Sequence, residues 1–291
     1  MNKSLVYVSF PKTGLGNLLL VWSRARLFSH LNGLPLVTSS WWGIRWGSWL
    51  RNENRKRLYY GYFRESSLVD KLKVVAFKGL AEVVQEPVLK KENNNKKKVL
   101  YRFSSVVTQD SLFGEIQPYR EFIKAELYRM IHQNLLSALA CYEKPVMAVH
   151  IRRGDFKYGN PLTSEEFFIR CIRFVRTTIK QELPVTVFTD ADPSEIRQVM
   201  ALNNIRLAEK KPDILDMLLL SQSRVMVLSQ SSTFSYWAAF LSDAIVIRPE
   251  GDWQKQIRPD AVNKHKFEGM VAIDDPSSLV RLSFALEKEE W

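Results

Sequence analysis

Cysteine is scarce: only Cys141 and Cys171 occur in 291 residues. Two are too few for the disulfide framework that staples small secreted domains, so both are expected to be buried thiols in a reducing compartment. The four histidines are scattered. With no His-x-x-x-His or Cys-x-x-Cys spacing, no zinc site is expected. No uninterrupted run of about 18 apolar residues exists, so no transmembrane helix is expected. Residues 4 to 10 are apolar, but Pro11, Lys12 and two glycines interrupt them at once, which no secretory signal does. The reading therefore places the protein in the cytoplasm.

Acidic residues are also under-represented: 31 against 42 Lys and Arg, a formal net charge of +11. Nucleic acid, an anionic membrane surface or a phosphorylated small molecule would each explain that excess, as would a solvated basic surface. No recognition helix, zinc finger or RNA-binding signature appears, so nucleic acid is not expected as a partner. Peripheral contact with an anionic membrane stays open. Part of the charge sits in "KKENNNKKK", residues 90 to 98, which lacks apolar periodicity and reads as an exposed loop.

What is present is an alternation of strands and helices. "VYVSFPKTGLGNLLLVWSRARLF", residues 6 to 28, reads as strand, glycine loop, helix. An aromatic and basic stretch follows at 41 to 64, in which Trp41, Trp42, Trp46, Trp49, Tyr59, Tyr60, Tyr62 and Phe63 could form core, stack on sugars or seat a membrane interface. Residues 119 to 139 carry helical spacing. The second half alternates more plainly. "PVMAVHI" is a strand and "SEEFFIRCIRFVRTTI" a helix, with Thr163 and Glu166 as a capping box. "VTVFTD", "NIRLA", "RVMVLS" and "AIVIRP" are further strands, separated by helices. This pattern implies βαβ units, parallel sheets and an α/β fold. Two Rossmann-like domains are expected, 1–142 and 143–291, the second closed by a C-terminal helix.

Ligands of open parallel sheets bind beyond the carboxyl ends of the strands, so the strand ends hold the candidate site. After "VMAVHI" come Arg152, Arg153, Gly154 and Asp155. Adjacent guanidiniums suit phosphate oxygens, although an Arg–Asp structural pair would serve as well. Gly154 permits a sharp turn or close backbone approach. Asp190 and Asp192 follow "VTVFT"; they could accept from a ribose or base, or cap the next helix. Ser231, Ser232 and Thr233 open a helix whose free amides make an anion site. His150 lies within the apolar strand, either as a core residue or as a base.

These motifs resemble glycosyltransferase family 11, the α-1,2-fucosyltransferases. "VHIRRGDF" at 149 to 156 is similar to that family's His-x-Arg-Arg-Gly-Asp-Tyr. "GLGN" at 14 to 17 is similar to its Gly-Leu-Gly-Asn-Gln, "VFTDAD" to its Phe-Ser-Asp-Asp, and "DMLLLSQSRVMVLSQSSTFSYWAAFL" to its Asp-x-x-Leu-Met-Ser block ending in Ser-Thr-Phe-Ser-Trp-Trp-x-Ala. The four elements run in the family's order over residues 14 to 241. The resemblance implies a GT-B enzyme whose two Rossmann-like domains face a central cleft. It would move fucose from GDP-fucose to a glycan hydroxyl with inversion, needing no cofactor and no metal. Arg152 would hold the donor β-phosphate, with His150, Arg153 and Asp155 shaping the pocket. Asp190 and Asp192 would lie near the guanosine. Ser231, Ser232, Thr233 and Ser235 would bind phosphate, and Gly14, Gly16 and Asn17 would approach the donor from the first domain. His150, Asp155 and Glu165 are the candidate bases. The chain departs from the family at Leu18, where glutamine is usual, at Phe156 for tyrosine and at Tyr236 for tryptophan.

Two rivals stand beside this reading. "SFPKTG" is similar to the Tyr-Pro-Lys-Ser-Gly phosphate loop of sulfotransferases, in which Lys12 would contact a sulfonate donor. A non-catalytic protein binding anionic surfaces through its basic charge is the other.

Overall fold

The computed structural model describes residues 4–43, 58–92, 98–106, 112–154, 162–252, 256–264, 266–272, 275–289 and 291. Trp46, Trp49, Asp155, Phe156 and residues 93–97 of the polar loop lie outside them. The chain divides into two compact units, one holding the described residues up to Leu136 and the other those from Ser137 to Trp291.

The first unit starts with β1 (Ser4–Val8), followed by α1 (Leu15–Asn32) and β2 (Leu36–Thr38). Then come α2 (Leu68–Leu80), β3 (Glu82–Gln85), β4 (Val99–Phe103) and α3 (Arg120–Met130). α4 (Gln133–Ala140) carries the chain across the division. The sheet runs β2-β1-β4-β3 with every pairing parallel; Val6 lies opposite Leu36 on one side and Tyr101 on the other. α1 is buried nearly all round, Ser23, Arg24 and Ser29 included. Its Val21, Ala25 and Phe28 pack with Val6, Val8, Tyr101 and Phe103. Gly33 ends it in the left-handed region at φ 60, a conformation glycine adopts without steric cost, and donates to His30 O.

The second unit is a longer α/β alternation. Its strands are β5 (Met147–Ile151), β6 (Val185–Thr189), β7 (Ile205–Leu207), β8 (Val225–Val227), β9 (Ile245–Pro249) and β10 (Glu268–Val271). Its helices are α5 (Glu165–Ile179), α6 (Arg197–Met200), α7 (Asp213–Ser221), α8 (Thr233–Leu241), α9 (Asp260–Asn263) and α10 (Pro276–Glu287). The sheet order is β10-β9-β8-β5-β6-β7, again with every pairing parallel. Met147, Val149 and Ile151 alternate along β5 and bury against Phe168, Ile172 and Val175 of α5. Each such side chain contributes about 1.5–3 kcal/mol on burial. The α/β fold with parallel sheets is thus as expected.

Four local expectations are corrected. Residues 119 to 139 are two helices, because Ile131 is extended, bridges Phe63 and ends α3, while His132 donates to Tyr62 O. The N-cap of α5 is Ser164, whose Oγ accepts from Phe167 N at 3.2 Å; Thr163 is occupied elsewhere. "PSEIRQVMAL", the helix expected between "VTVFTD" and "NIRLA", forms only a 3₁₀ turn, Pro193–Glu195, and the short α6. Cys171 is buried, but Cys141 is exposed.

A fully buried ion network ties β9 to β10. The Arg248 guanidinium lies 3.3 Å from Asp252 and 3.5 Å from Glu268, and Arg258 lies 3.2 Å from Glu268. Glu268 also accepts from the backbone amides of Ile257 and Arg258 at 2.7 and 3.0 Å. Arg258 in turn donates to the carbonyls of Ala244 and Phe267. Two buried guanidiniums thus share the Glu268 carboxylate. Removing one partner of a buried pair strands the other charge in the low-dielectric interior. Glu268→Ala is expected to destabilise the second unit by about 3–5 kcal/mol, read as a shift of the urea midpoint. A loss below about 1 kcal/mol would refute the assigned role.

Candidate functional site

The order of the second sheet reverses between β5 and β8. From β5 the chain builds outward through β6 and β7, then returns to the other side of β5 with β8, β9 and β10. A crevice at such a reversal is where open α/β sheets bind ligands. The residues following β5, β6 and β8 meet there.

Hydroxyls stitch these strand ends together. Ser229 Oγ donates to His150 O at 2.9 Å and accepts from Arg152 N at 2.8 Å, which joins the exits of β8 and β5. Thr189 Oγ1 donates to Ile151 O at 2.6 Å, joining β6 to β5. Thr163 Oγ1 accepts from Gln230 N at 2.9 Å, which holds the loop after β8.

Asp190 is the hub. One carboxylate oxygen accepts from the Arg152 guanidinium and the other from the Arg153 amide at 2.8 Å. The Arg152 and Asp190 side chains are 20% and 19% exposed, so the guanidinium is held yet reachable. Gly154 follows from this packing. A Cβ there would sit 3.0 Å from Asp190 Cγ and closer still to its Oδ2. Arg153 turns the other way. It is buried, and its Nη1 donates to Arg152 O at 3.1 Å. Burial lowers its pKa, and the nearby Glu165, Glu195 and Asp190 oppose that shift. Of the two arginines, Arg152 stays partly exposed while Arg153 is buried.

The loop into α8 completes the site. Ser231 adopts φ 56, in the left-handed region. Its amide donates to Tyr236 Oη at 2.7 Å and lies 3.3 Å from Asp252 Oδ1. The Tyr236 hydroxyl donates to Asp252, which Arg248 holds from behind. Burial, then the Asp252 charge, pushes the Tyr236 phenol far above its usual range, so it stays a neutral donor. The tyrosine in place of tryptophan therefore has a structural use: its hydroxyl links the Ser231 turn to the buried ion network. Ser232 is the N-cap of α8 and supplies no side-chain cap, which leaves the first-turn amides unpaired within the helix. His150 is buried and stacks on Phe234 in that first turn, with ring centroids 5.3 Å apart.

Arg152, Asp190, Ser231, Ser232 and Thr233 are thus brought to one strand-end face. Other expected site residues are not. Ser235 is fully buried and its hydroxyl donates inward to Ser232 O at 3.2 Å. Asp192 is the N-cap of the 3₁₀ turn, its amide donating to Glu195 at 2.9 Å. Glu165 accepts from Val199 N at 3.0 Å, which ties the start of α5 to α6. Asp155 lies outside the described residues. Sequence reasoning missed Ser229, Thr163, Tyr236 and Asp252. Ser229 could have been found, since it lies two residues past the end of β8.

Gly14, Gly16 and Asn17 belong to the first unit, whose sheet order reverses between β1 and β4. Gly14 is the N-cap of α1 and no side chain caps that terminus. Asn17 N donates to Gly14 O at 3.1 Å, Asn17 Oδ1 is buried with no hydrogen-bond partner among the described residues, and Lys12 is exposed. Leu18 is fully buried, so the residue replacing the usual glutamine is part of the core.

No family model and no curated protein matches the sequence. Solved structures do match. The fucosyltransferase NodZ from Bradyrhizobium superimposes with a TM-score of 0.55 at 13% identity, over 88% of this chain and 98% of NodZ. An α-1,6-fucosyltransferase NodZ structure soaked with GDP-fucose gives 0.51 at 11%, over 87% and 97%. A mutant of Arabidopsis thaliana FUT1 in complex with GDP gives 0.51 at 14%, over 90% and 73%. At these identities the likeness shows the fold, that of the GT-B glycosyltransferases with two Rossmann-like parallel sheets.

The Gly154–Asp190 contact gives a double-mutant test. Gly154→Ala is expected to cost about 1–3 kcal/mol through overpacking. In an Asp190→Ala background the same change should cost markedly less, since the clashing carboxylate is gone. Chemical denaturation of the four proteins reads the coupling; strict additivity would refute the contact.

Proposed function

We propose that the chain is an inverting glycosyltransferase that moves fucose, or a related sugar, from a GDP-sugar to a hydroxyl of a glycan acceptor. One observation carries the reading: Arg152 is pinned by Asp190 at the reversal point of the second sheet, beside the uncapped first turn of α8. A fixed guanidinium and free helix amides together suit a diphosphate. The NodZ and FUT1 structures that share this fold were obtained with GDP-fucose and GDP, which supports the same donor class here. The similarity of "VHIRRGDF" and the Ser-Thr-Phe-Ser-Tyr-Trp block to the α-1,2 family supports that linkage.

The chemistry follows from these groups. The acceptor oxygen attacks the anomeric carbon from the face opposite GDP. The new carbon–oxygen bond forms as the bond to the β-phosphate oxygen breaks, and that electron pair leaves with GDP. The acceptor proton passes to a base, for which His150, Asp155 and Glu165 are the candidates; Glu165 already accepts from Val199 N and His150 stacks on Phe234. Negative charge grows on the diphosphate, and a cation already in place lowers the barrier without reorganisation. The reading is metal-independent because Arg152 supplies that charge. The Asp-x-Asp spacing at 190–192 is used otherwise, Asp190 on the two arginines and Asp192 as a cap.

Two measurements test this. In a thermal-shift comparison GDP should raise the melting temperature and adenosine 3′,5′-bisphosphate should not. Stabilisation by the adenosine compound alone would instead favour sulfonate transfer through Lys12 and the Pro-Lys-Thr-Gly loop. Arg152→Ala is expected to lower kcat for GDP-sugar turnover by about 10²–10³-fold with a native melting profile. Near-normal turnover would overturn its role.

A further inference from the structure

α2 presents its apolar face to solvent. Leu68, Leu72, Val75 and Leu80 are 79%, 68%, 66% and 74% exposed, and Val69 is exposed beside them. At about 100° per residue, these positions share one broad stripe with the exposed Ala76 and Gly79. Val74, the one buried residue of the helix, lies on the opposite side, in a cluster with Leu5, Val37 and Leu100. The stripe therefore points away from the core that anchors the helix. Val83 on β3 and Val88, which follow the helix closely in sequence, are exposed as well. Monomers rarely leave a contiguous apolar patch of this kind open to water without a partner.

The charges around the stripe select that partner. By the same helical spacing, Lys73 borders one edge and Lys71 and Lys78 the other; Lys71 also reaches Glu65 at 2.9 Å, and the exposed Glu82 follows the helix. The single acidic residue of α2, Asp70, lies on the side away from the stripe and pairs with Lys73 at 2.7 Å. Lys90 and Lys91, both exposed, follow within three residues of Val88 and open the lysine-rich stretch that ends at Lys98. The whole chain carries +11. An apolar stripe edged by lysines, on a helix about 20 Å long, fits the headgroup boundary of an anionic bilayer: the aliphatic groups enter the acyl region and the ammonium groups meet lipid phosphates. A second copy of the chain fits worse, because it would set lysine edges against lysine edges and one strongly basic protein against another.

We propose that α2 and the adjoining Val83–Lys91 surface dock the protein on an anionic lipid bilayer. The proposal stands independently of the reaction above, since it rests on the first unit alone. The test is co-sedimentation of the full chain with phosphatidylcholine vesicles, with and without phosphatidylserine. Binding is expected to be at least about tenfold tighter with phosphatidylserine and to weaken at high salt. Leu72→Glu/Val75→Glu should abolish it while leaving GDP-sugar turnover in solution unchanged. If that variant fails to fold, Lys73→Glu/Lys91→Glu carries the test, with binding weakened about tenfold or more. Absence of binding, equal binding to neutral vesicles, or indifference to these substitutions would overturn the proposal. So would a dimer, seen by light scattering, that the Leu72→Glu/Val75→Glu change dissolves.

Discussion

The carboxylate of Asp190 is the constraint on which the end of the second sheet depends. It stands at the exit of β6 and reaches the exit of β5, accepting from the Arg152 side chain and the Arg153 backbone. The position next to them must therefore lack a Cβ, as Gly154 does. The same hold separates the two arginines. Arg152 stays partly exposed, while Arg153 folds back onto the Arg152 carbonyl. A guanidinium on a free side chain would lose conformational entropy on meeting an anion. One already fixed by a carboxylate loses little, and this is what preorganisation contributes to phosphate binding.

A second layer holds the loop into α8. The Ser231 amide, the Tyr236 hydroxyl and Asp252 form a short chain of hydrogen bonds that ends on Arg248. Arg248 in turn shares Glu268 with Arg258. Buried charge of this kind adds little net stability over well-packed apolar residues. Here it fixes the left-handed turn at Ser231 and the direction in which the α8 amides point. His150 supports the same turn from beneath by stacking on Phe234. The apolar core sets where the strands run, and the polar network sets what their ends present.

Much of this was legible in the sequence. Short continuous apolar runs separated by helices imply parallel βαβ units, and the strand-end rule points to Arg152 and the hydroxyl loop. The glycine loop likewise falls where the first sheet reverses. Illegible parts were those decided by distant partners. Nothing local in residues 119 to 139 shows that Ile131 must bridge Phe63, so a continuous helix was expected. Thr163 and Ser164 are equally good caps, and only the position of Gln230 assigns one of them elsewhere. Tyr236 looked like a departure from a motif until Asp252, 16 residues on, supplied its partner. Ser235 shares the composition of its neighbours, yet its place on the helix turns it inward.

The central claim is that a nucleotide diphosphate binds at the strand ends of the second unit. A crystal structure of the protein with GDP tests it most directly. The account predicts diphosphate density with oxygens about 3 Å from the Arg152 guanidinium and from the first-turn amides of α8. Density for the diphosphate at the Lys12–Gly14 loop instead, with Arg152 still closed on Asp190 and touching no ligand, would contradict it.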